Sequence, residues 1–206
     1  MRPPRIAIFA SGKGSNAMAL IKKAKSCSLE QIEISFVLSD KVAAPVLEKA
    51  KQEGVRTYLV EKKQDRKTHE AEILNLLREH RVDWIFLAGY MRLISPDFLN
   101  QFSEWHSGAS QIVNIHPSLL PAYPGVDSIA RAYHDKVPLS GVSIHLVDDG
   151  MDTGLILAQE SIVLSQQESL ESWEARIHEL EHRLYTGFLE SLATAQRKTV
   201  YFQENP

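Results

Sequence analysis

The stretch RIAIFASGKGSNAMALIKKA at residues 5–24 combines a short apolar run, a glycine-rich turn and a helix-like segment. It predicts a buried strand over Arg5–Ala10 and a helix over Asn16–Ala24, joined by the turn at residues 11–16. Glycines let such a turn expose backbone N–H groups, and a helix N-terminus favours negative charge, so this turn is predicted to bind an anion. A strand, a tight turn and a helix in this order are typical of the start of a βαβ unit.

Apolar runs of the same kind alternate with helix-like segments through the first 120 residues. Besides Arg5–Ala10, these runs are Ile32–Leu38, Val55–Val60, Trp84–Ala88 and Gln111–Ile115. Further on, the runs Leu139–Val147 and Leu155–Leu164 suggest an antiparallel pair or a loop-bridged extension of the sheet, and a long helix follows. The predicted fold is a single-domain, Rossmann-like α/β structure with a mostly parallel central sheet, helices on both faces and an antiparallel C-terminal extension.

The composition is that of an ordinary folded protein, with 206 residues, 44% apolar content and a formal net charge of −3. It excludes a disordered or fibrous class, and it gives no general attraction to nucleic acid or an anionic membrane. The single cysteine, Cys27, cannot form an internal disulfide, and the apolar runs are too short for a membrane span. We therefore expect a cytoplasmic protein, in which any bound anion must be captured locally.

The turn SGKGSN at 11–16 is compatible with two kinds of ligand. Through Gly12, Gly14 and Ala17 it fits the dinucleotide pattern G-x-G-x-x-A, with Asp40 at the end of the next strand as a candidate ribose-binding acid. The charge of Lys13 and the short polar side chains of Ser15 and Asn16 instead favour a compact terminal phosphate. A glycine-rich turn without a ligand is the third possibility.

The run VNIHPSLLPAYPG at 113–125 places two polar side chains at the end of an apolar strand. Alternation puts Asn114 and His116 on the same strand face, so they can converge at the carboxyl edge of the sheet, where open α/β folds bind ligands. A lone histidine at a strand end is more often structural, so His116 alone does not indicate catalysis.

The run GVSIHLVDDGMDTG at 141–154 places His145 inside a strand and crowds Asp148, Asp149 and Asp152 into a loop. Carboxylates this close repel one another, which predicts a solvated turn or a site with a cation or a perturbed acid. The spacing misses the calcium-binding EF-hand pattern. His116, His145 and one aspartate could in principle hold zinc, but no closely spaced His/Cys pair anchors such a site, and no metal is predicted.

Taken together with LAGYMRLISP at 87–96 and the H-x6-D spacing from His145 to Asp152, these segments resemble the phosphoribosylglycinamide formyltransferases of purine synthesis. The order and spacing of the segments over nearly the whole chain make the resemblance specific. It implies a one-carbon group transferase that takes a formyl group from 10-formyltetrahydrofolate, its co-substrate, to the amine of glycinamide ribonucleotide. Its partners would then be these small molecules, and we expect a monomer or a homodimer. Two features depart from the family pattern: residues Phe102–Gln111 form a longer segment than expected, and Asp127 and Ile129 replace the usual polar or histidine residues.

The resemblance also assigns roles to individual residues. It implies that Asn114, His116 and Asp152 are catalytic and that Glu181 is an acid on the acceptor side. The residues implied to hold the ribonucleotide are Ser11, Gly12, Lys13, Gly14, Ser15, Asn16 and Arg66. The residues implied to line the folate pocket are Met91, Arg92, Leu93, Ile94, Asn114, Asp148, Asp149 and Asp152. Residues 1–110 would then form a ribonucleotide-binding half, and residues 111–206 a catalytic and folate-binding half.

Several other functions stay open on the sequence alone. Within the same class they are another folate-dependent N-formyltransferase and a formyl-folate hydrolase. Transfer to aminoacyl-tRNA would normally require an additional basic domain, for which the chain has neither the length nor the charge. Two open alternatives come from other classes of protein. One is a nicotinamide-dependent oxidoreductase that uses the G-x-G-x-x-A turn, and the other is a non-enzymatic nucleotide-binding module.

Overall fold

The computed structural model describes residues 2–26, 32–165 and 167–204, with side chains described up to residue 194. Cys27 lies outside the described residues. The chain divides into two compact units, the first formed by Met1–Arg92 with Thr186–Pro206 and the second by Leu93–Tyr185. The division at residue 92 differs from the sequence-based division at residue 110, and the functional assignment of the two halves stays a prediction.

The first unit is built on four parallel strands in the order β3-β2-β1-β4. These strands are β1 (Arg5–Phe9), β2 (Glu33–Ser39), β3 (Thr57–Leu59) and β4 (Trp84–Leu87). Helices α1 (Ser15–Lys25), α2 (Pro45–Gln52) and α3 (Arg66–Glu79) follow β1, β2 and β3 in turn. The apolar side chains of β1 are fully buried, as expected for a strand with parallel neighbours on both sides.

The helix starts in both units follow from local chemistry. Asp65 accepts hydrogen bonds from the N–H groups of Lys67 and Thr68, which starts α3 at Arg66. Ser95 caps the helix that begins at Pro96 in the same way, and Pro45 occupies the first position of α2. These starts were all predicted from the sequence.

The second unit contains three antiparallel strands in the order β5-β6-β7. Its elements are α4 (Pro96–Glu104), β5 (Ile112–His116), α5 (Ser128–His134), β6 (Leu139–Leu146), β7 (Ile156–Val163) and the first part of α6 (Leu170–Glu204). Helix α6 buries Trp173, Ile177, Leu180 and Tyr185 at helical spacing. The Leu120–Pro121 peptide bond is cis.

The predicted α/β fold class is confirmed, with a parallel sheet first and antiparallel strands after it. Two details of the sequence-based prediction were wrong. The strand predicted at Val55–Val60 is only three residues long, because the Val55 N–H donates to the Ala50 carbonyl at the end of α2. Helix α5 was not predicted, since it is short and starts after Asp127, which has a left-handed backbone conformation.

Within the described residues, every helix is too short or too polar to span a lipid bilayer.

Candidate active site

The carboxylate of Asp152 is the point at which the polar side chains of the second unit converge. Its Oδ2 accepts a hydrogen bond from the Gly125 N–H at 2.7 Å and lies 3.3 Å from His116 Nδ1. Its Oδ1 lies 3.4 Å from His145 Nε2 and accepts from Asn114 Nδ2 at 3.4 Å. The structure thus brings together the three residues that the sequence predicts to be catalytic, and it adds His145 to them.

The register of the antiparallel strands explains why these residues meet. Asn114 and His116 lie two residues apart on β5 and share a face, as alternation predicts. His145 on β6 is directly opposite Asn114, and the Asn114 Nδ2 lies 3.1 Å from His145 Nε2. The sequence indicated His145 through its H-x6-D spacing to Asp152 and as a weak zinc candidate, but no catalytic role was predicted for it.

Hydrogen bonds within the loop between β6 and β7 fix the position of Asp152. The Asp148 carboxylate accepts from the Gly150 N–H and the Thr153 hydroxyl, which closes the loop on itself. A Cβ on Gly154 would lie 1.7 Å from the Leu146 carbonyl oxygen, so this position requires glycine. Asp152 itself has a left-handed φ of 56°. Asp148 holds the loop conformation and Asp149 is exposed, and their predicted contact with a folate stays a prediction.

Asp152 is ionised over the whole physiological pH range. Partial burial opposes its ionisation, since its side chain is only 14% exposed. The hydrogen bond with His145, the Gly125 N–H and the proximity of the two imidazoles outweigh that effect and lower the pKa of Asp152 to about 2. The site therefore holds a permanent negative charge between two histidines.

The contacts of the two imidazoles define which nitrogen carries a proton. His116 Nε2 lies 2.8 Å from the Tyr123 carbonyl oxygen, which only accepts, so Nε2 is the donor and Nδ1 faces Asp152. His145 Nδ1 lies 2.8 Å from the Leu146 carbonyl oxygen, so Nδ1 is protonated and Nε2 faces Asn114 and Asp152. The Asp152 carboxylate therefore lies between Nδ1 of His116 and Nε2 of His145.

Glu181 also belongs to the second unit and is almost completely buried, with 4% of its surface exposed. His178 Nδ1 lies 2.6 Å from its Oε2, one helical turn earlier on α6. One turn later, the Tyr185 hydroxyl donates to the Val113 carbonyl at 3.3 Å and anchors α6 to β5. A buried carboxylate is thus fixed on a helix that is tied to the strand carrying Asn114.

In the first unit, the turn at 11–16 joins β1 to α1 and depends on a glycine with a left-handed conformation. Gly14 has a φ of 73°, and a Cβ there would lie 2.2 Å from Val46 Cγ2, so only glycine fits. It is the N-cap of α1 and makes no side-chain capping hydrogen bond. Lys13 and Ser15 are exposed, Asn16 is buried, and Lys49 Nζ donates to the Lys13 carbonyl at 3.0 Å.

Ser11 connects this turn to the segment that follows β4. Its N–H donates to the Gly89 carbonyl at 3.0 Å, and its hydroxyl accepts from the Met91 N–H at 3.1 Å. The same hydroxyl donates to Asp40 Oδ1 at 2.6 Å. Asp40 is only 6% exposed, and its carboxylate supports this connection instead of facing outward, as ribose recognition would require.

The remaining residues of the predicted binding set are exposed or half-buried, and their contacts with ligands stay a prediction. Met91 and Leu93 are exposed apolar side chains, whereas Arg92 and Ile94 are half-buried. Arg66 is the first residue of α3 and forms an ion pair with Glu70 one turn later, at 3.0 Å. In the part of the chain that the structure describes, no three metal-ligating side chains are grouped to hold an ion.

The chain is similar to known formyltransferases in both sequence and structure. Residues 4–189 match the family described as formyl transferase. A phosphoribosylglycinamide formyltransferase of Bacillus subtilis (strain 168) is 38% identical, over 91% of this chain and 94% of that protein. The crystal structure of glycinamide ribonucleotide transformylase 1 from Geobacillus kaustophilus is 41% identical, with a TM-score of 0.86 over 93% of this chain and 100% of that chain. The phosphoribosylglycinamide formyltransferase from Streptococcus pneumoniae TIGR4 is 39% identical, with a TM-score of 0.80 over 93% and 99% of the two chains.

Proposed function

The chain belongs to the phosphoribosylglycinamide formyltransferase family, and from that membership we propose that it transfers the formyl group of 10-formyltetrahydrofolate to the amine of glycinamide ribonucleotide. The observation that carries this proposal is the convergence of Asn114, His116 and His145 on the ionised carboxylate of Asp152. This group of four residues supplies the donors and the base that formyl transfer to an amine needs. The predicted cytoplasmic location remains part of the proposal.

The chemistry begins with attack of the neutral amine on the formyl carbon. The bond that forms is between the amine nitrogen and this carbon, and the carbonyl oxygen gains negative charge in a tetrahedral intermediate. Donors aimed at that oxygen stabilise the transition state, and the Asn114 amide is proposed to act as one of them. Collapse of the intermediate breaks the bond between the formyl carbon and N10 of the folate. No covalent enzyme intermediate is needed.

Two proton movements accompany these bond changes. The attacking nitrogen loses a proton, which the ionised carboxylate of Asp152 is proposed to relay. The departing folate nitrogen gains a proton, for which the imidazolium form of His116 is the proposed source. The same carboxylate is proposed to support both steps, because it lies 3.3 Å from His116 Nδ1 and orients the ring.

His116 must exchange one of its contacts to reach a substrate. Its Nε2 donates to the Tyr123 carbonyl, and its Nδ1 faces Asp152. We propose that the Nε2 contact is the one exchanged, because Tyr123 belongs to the loop after β5, whereas Asp152 is held by the Gly125 N–H as well. The carboxylate then keeps the ring oriented during proton transfer.

The turn at 11–16 is the proposed site for the phosphate of the ribonucleotide. Exposed Lys13 and Ser15 and the uncapped start of α1 suit a dianionic terminal phosphate. Arg66, which follows the family pattern, is proposed to add a second cation. The competing dinucleotide function is disfavoured by the burial of Asp40 and its hydrogen bond to Ser11.

The test is a binding comparison with purified protein. A reduced folate and a nicotinamide dinucleotide are titrated separately by calorimetry, followed by glycinamide ribonucleotide in the presence of the folate. Saturable binding of the folate and the ribonucleotide, without dinucleotide binding, is the expected result. Binding of the dinucleotide alone would contradict the proposal.

A further inference from the structure

We infer that Gln159 is a positioning residue for the proposed reaction, because it fixes the loop at residues 117–125, and this loop in turn holds His116 and Asp152. The inference rests on the proposed function of those two side chains. Gln159 lies on β7, where it is paired with Ser143 of β6. It therefore acts on the active site through the loop and not through a contact with a substrate.

The amide of Gln159 and the hydroxyl of Ser143 tie the start of this loop to the two strands. Gln159 Nε2 donates to the Leu120 carbonyl at 2.9 Å and to the Ser143 hydroxyl oxygen at 2.8 Å. Only the amide nitrogen can face the Leu120 carbonyl, since two oxygens there would both be acceptors. The Ser143 hydroxyl accepts from the Leu120 N–H at 3.0 Å and donates to the Ser118 carbonyl at 2.7 Å. Three backbone groups of the loop are thus fixed by two side chains.

The loop is compact and lies close against β6. The Ser118 hydroxyl donates to the Ala122 carbonyl at 2.6 Å, and the Ala122 N–H donates to the Leu119 carbonyl at 3.0 Å. A Cβ on Gly141 of β6 would lie 2.5 Å from Leu119 Cδ2, so there is no room for a side chain between strand and loop. A shift at Leu120 is therefore passed on to the residues that follow it.

Those residues make two of the contacts that define the proposed active site. The Tyr123 carbonyl accepts from His116 Nε2 at 2.8 Å. The Gly125 N–H donates to Asp152 Oδ2 at 2.7 Å. Since a displacement of about 1 Å in a reacting group can cost about 10²-fold in rate, a loop that is loosened at its start is expected to impair both groups together.

The second half of the loop has its own contacts with α5, which do not involve Gln159. Arg131 donates to the Pro124 carbonyl, and the Tyr123 hydroxyl donates to the Asp135 carboxylate at 2.8 Å. Gln159 is itself an exposed residue, so replacing it leaves the apolar core unchanged. Loss of its two donors should therefore loosen the loop without unfolding the chain.

The first test is formyl transfer by Gln159→Met, which removes both donors and keeps the length of the side chain. Turnover should fall roughly 10–100-fold, whereas the dissociation constants of folate and ribonucleotide, measured by titration, should stay within about threefold. Gln159→Glu keeps the shape but has no N–H for the Leu120 carbonyl at neutral pH, so it should lose turnover to a similar extent. Gln101→Met, the same change at an exposed position on α4, should leave turnover unchanged.

The second test is amide hydrogen exchange of the free protein, followed by nuclear magnetic resonance. In Gln159→Met the N–H groups of Leu120 and Gly125 should exchange at least about tenfold faster than in the wild type, while the N–H of Ile8 in β1 keeps its rate. The midpoint of thermal unfolding should fall by no more than about 4 °C. This test needs no substrate. If the wild type failed to transfer formyl groups, the proposed function would be refuted, and exchange at Gly125 would still decide whether Gln159 orders the loop.

Four results would overturn the inference. The first is turnover in Gln159→Met within about threefold of the wild type, and the second is unchanged exchange at Gly125. The third is a loss of substrate affinity as large as the loss of turnover, which would indicate a damaged binding site. If Gln159→Met does not fold, Gln159→Glu replaces it in both tests. The fourth is loss of folding in both variants, which would show that the residue supports the fold and not the reaction.

Discussion

Replacing Asp152 with asparagine removes the charge at the centre of the proposed active site and keeps the size of the side chain. The amide oxygen of asparagine can still accept from the Gly125 N–H, so the loop after β6 keeps this anchor. The proposed proton acceptor for the amine is lost, and so is the charged partner that faces His116 Nδ1. General acid–base catalysis contributes roughly 10²–10⁴-fold, so turnover should fall by that factor, equivalent to about 3–5 kcal/mol in the barrier. The apparent affinities for both substrates should change much less.

The assay is steady-state formyl transfer, with the binding of each substrate measured separately by titration. Asp97→Asn is the matched control, because it removes the same charge from an exposed position on α4. In the double variant Asp152→Asn with His116→Ala, the fold-loss in turnover should be far smaller than the product of the two single losses, since the residues act together. Turnover within about fivefold of the wild type in Asp152→Asn, or fully multiplicative losses in the double variant, would refute the proposed role.

The lowered pKa of Asp152 also predicts how the free energy of unfolding depends on pH. Its pKa falls from an ordinary value of 3.8 to about 2 in the folded chain. A lowered pKa stabilises the folded state above pH 3.8, and this contribution disappears as the pH falls through 2. Between pH 4 and pH 2 the free energy of unfolding of the wild type should therefore drop by about 2 kcal/mol more than that of Asp152→Asn. If urea unfolding shows the same pH dependence for the wild type and for Asp152→Asn, the pKa of Asp152 is not lowered in the folded chain.

Three further predictions concern the rest of the chain. Arg66→Ala should weaken ribonucleotide binding about tenfold while folate binding stays unchanged, with Arg78→Ala on the same helix as control; equal losses for both ligands would refute the assignment. Gly14→Ala should lower the free energy of unfolding by at least about 2 kcal/mol because its Cβ meets Val46, whereas Gly187→Ala, with nothing within 4 Å, should not destabilise the fold. Deleting the exposed residues 107–110 should leave turnover within a few-fold, and a large fall with unchanged stability would show that this segment closes over a ligand.

The fold could largely be predicted from the sequence because its strands are short, apolar and regularly punctuated. Most strand bounds lie within one or two residues of the predicted ones, as for Arg5–Ala10 against Arg5–Phe9. The helix starts at Pro45, Arg66 and Pro96 followed from proline and capping residues, which act locally. Helix α5 was not predicted because it is too short to show a periodic pattern of apolar residues.

The candidate site was harder to predict where it depends on contacts distant in sequence. Alternation along one strand was enough to put Asn114 and His116 on one face. The involvement of His145 depends on the antiparallel register that sets it opposite Asn114, and a single strand carries no information about its partner. Asp40 looked suitable for ribose recognition by position alone, but its burial and its bond to Ser11 appear only in three dimensions.

The most direct test of the proposed function is a product assay with the purified chain, 10-formyltetrahydrofolate and glycinamide ribonucleotide. Tetrahydrofolate and the formylated ribonucleotide should appear in equal amounts, and both should be lost in parallel in Asp152→Asn. Formate without formylated ribonucleotide would indicate hydrolysis of the folate instead of transfer. That result, or the absence of any turnover of the folate by folded protein, would contradict the proposed formyl transfer.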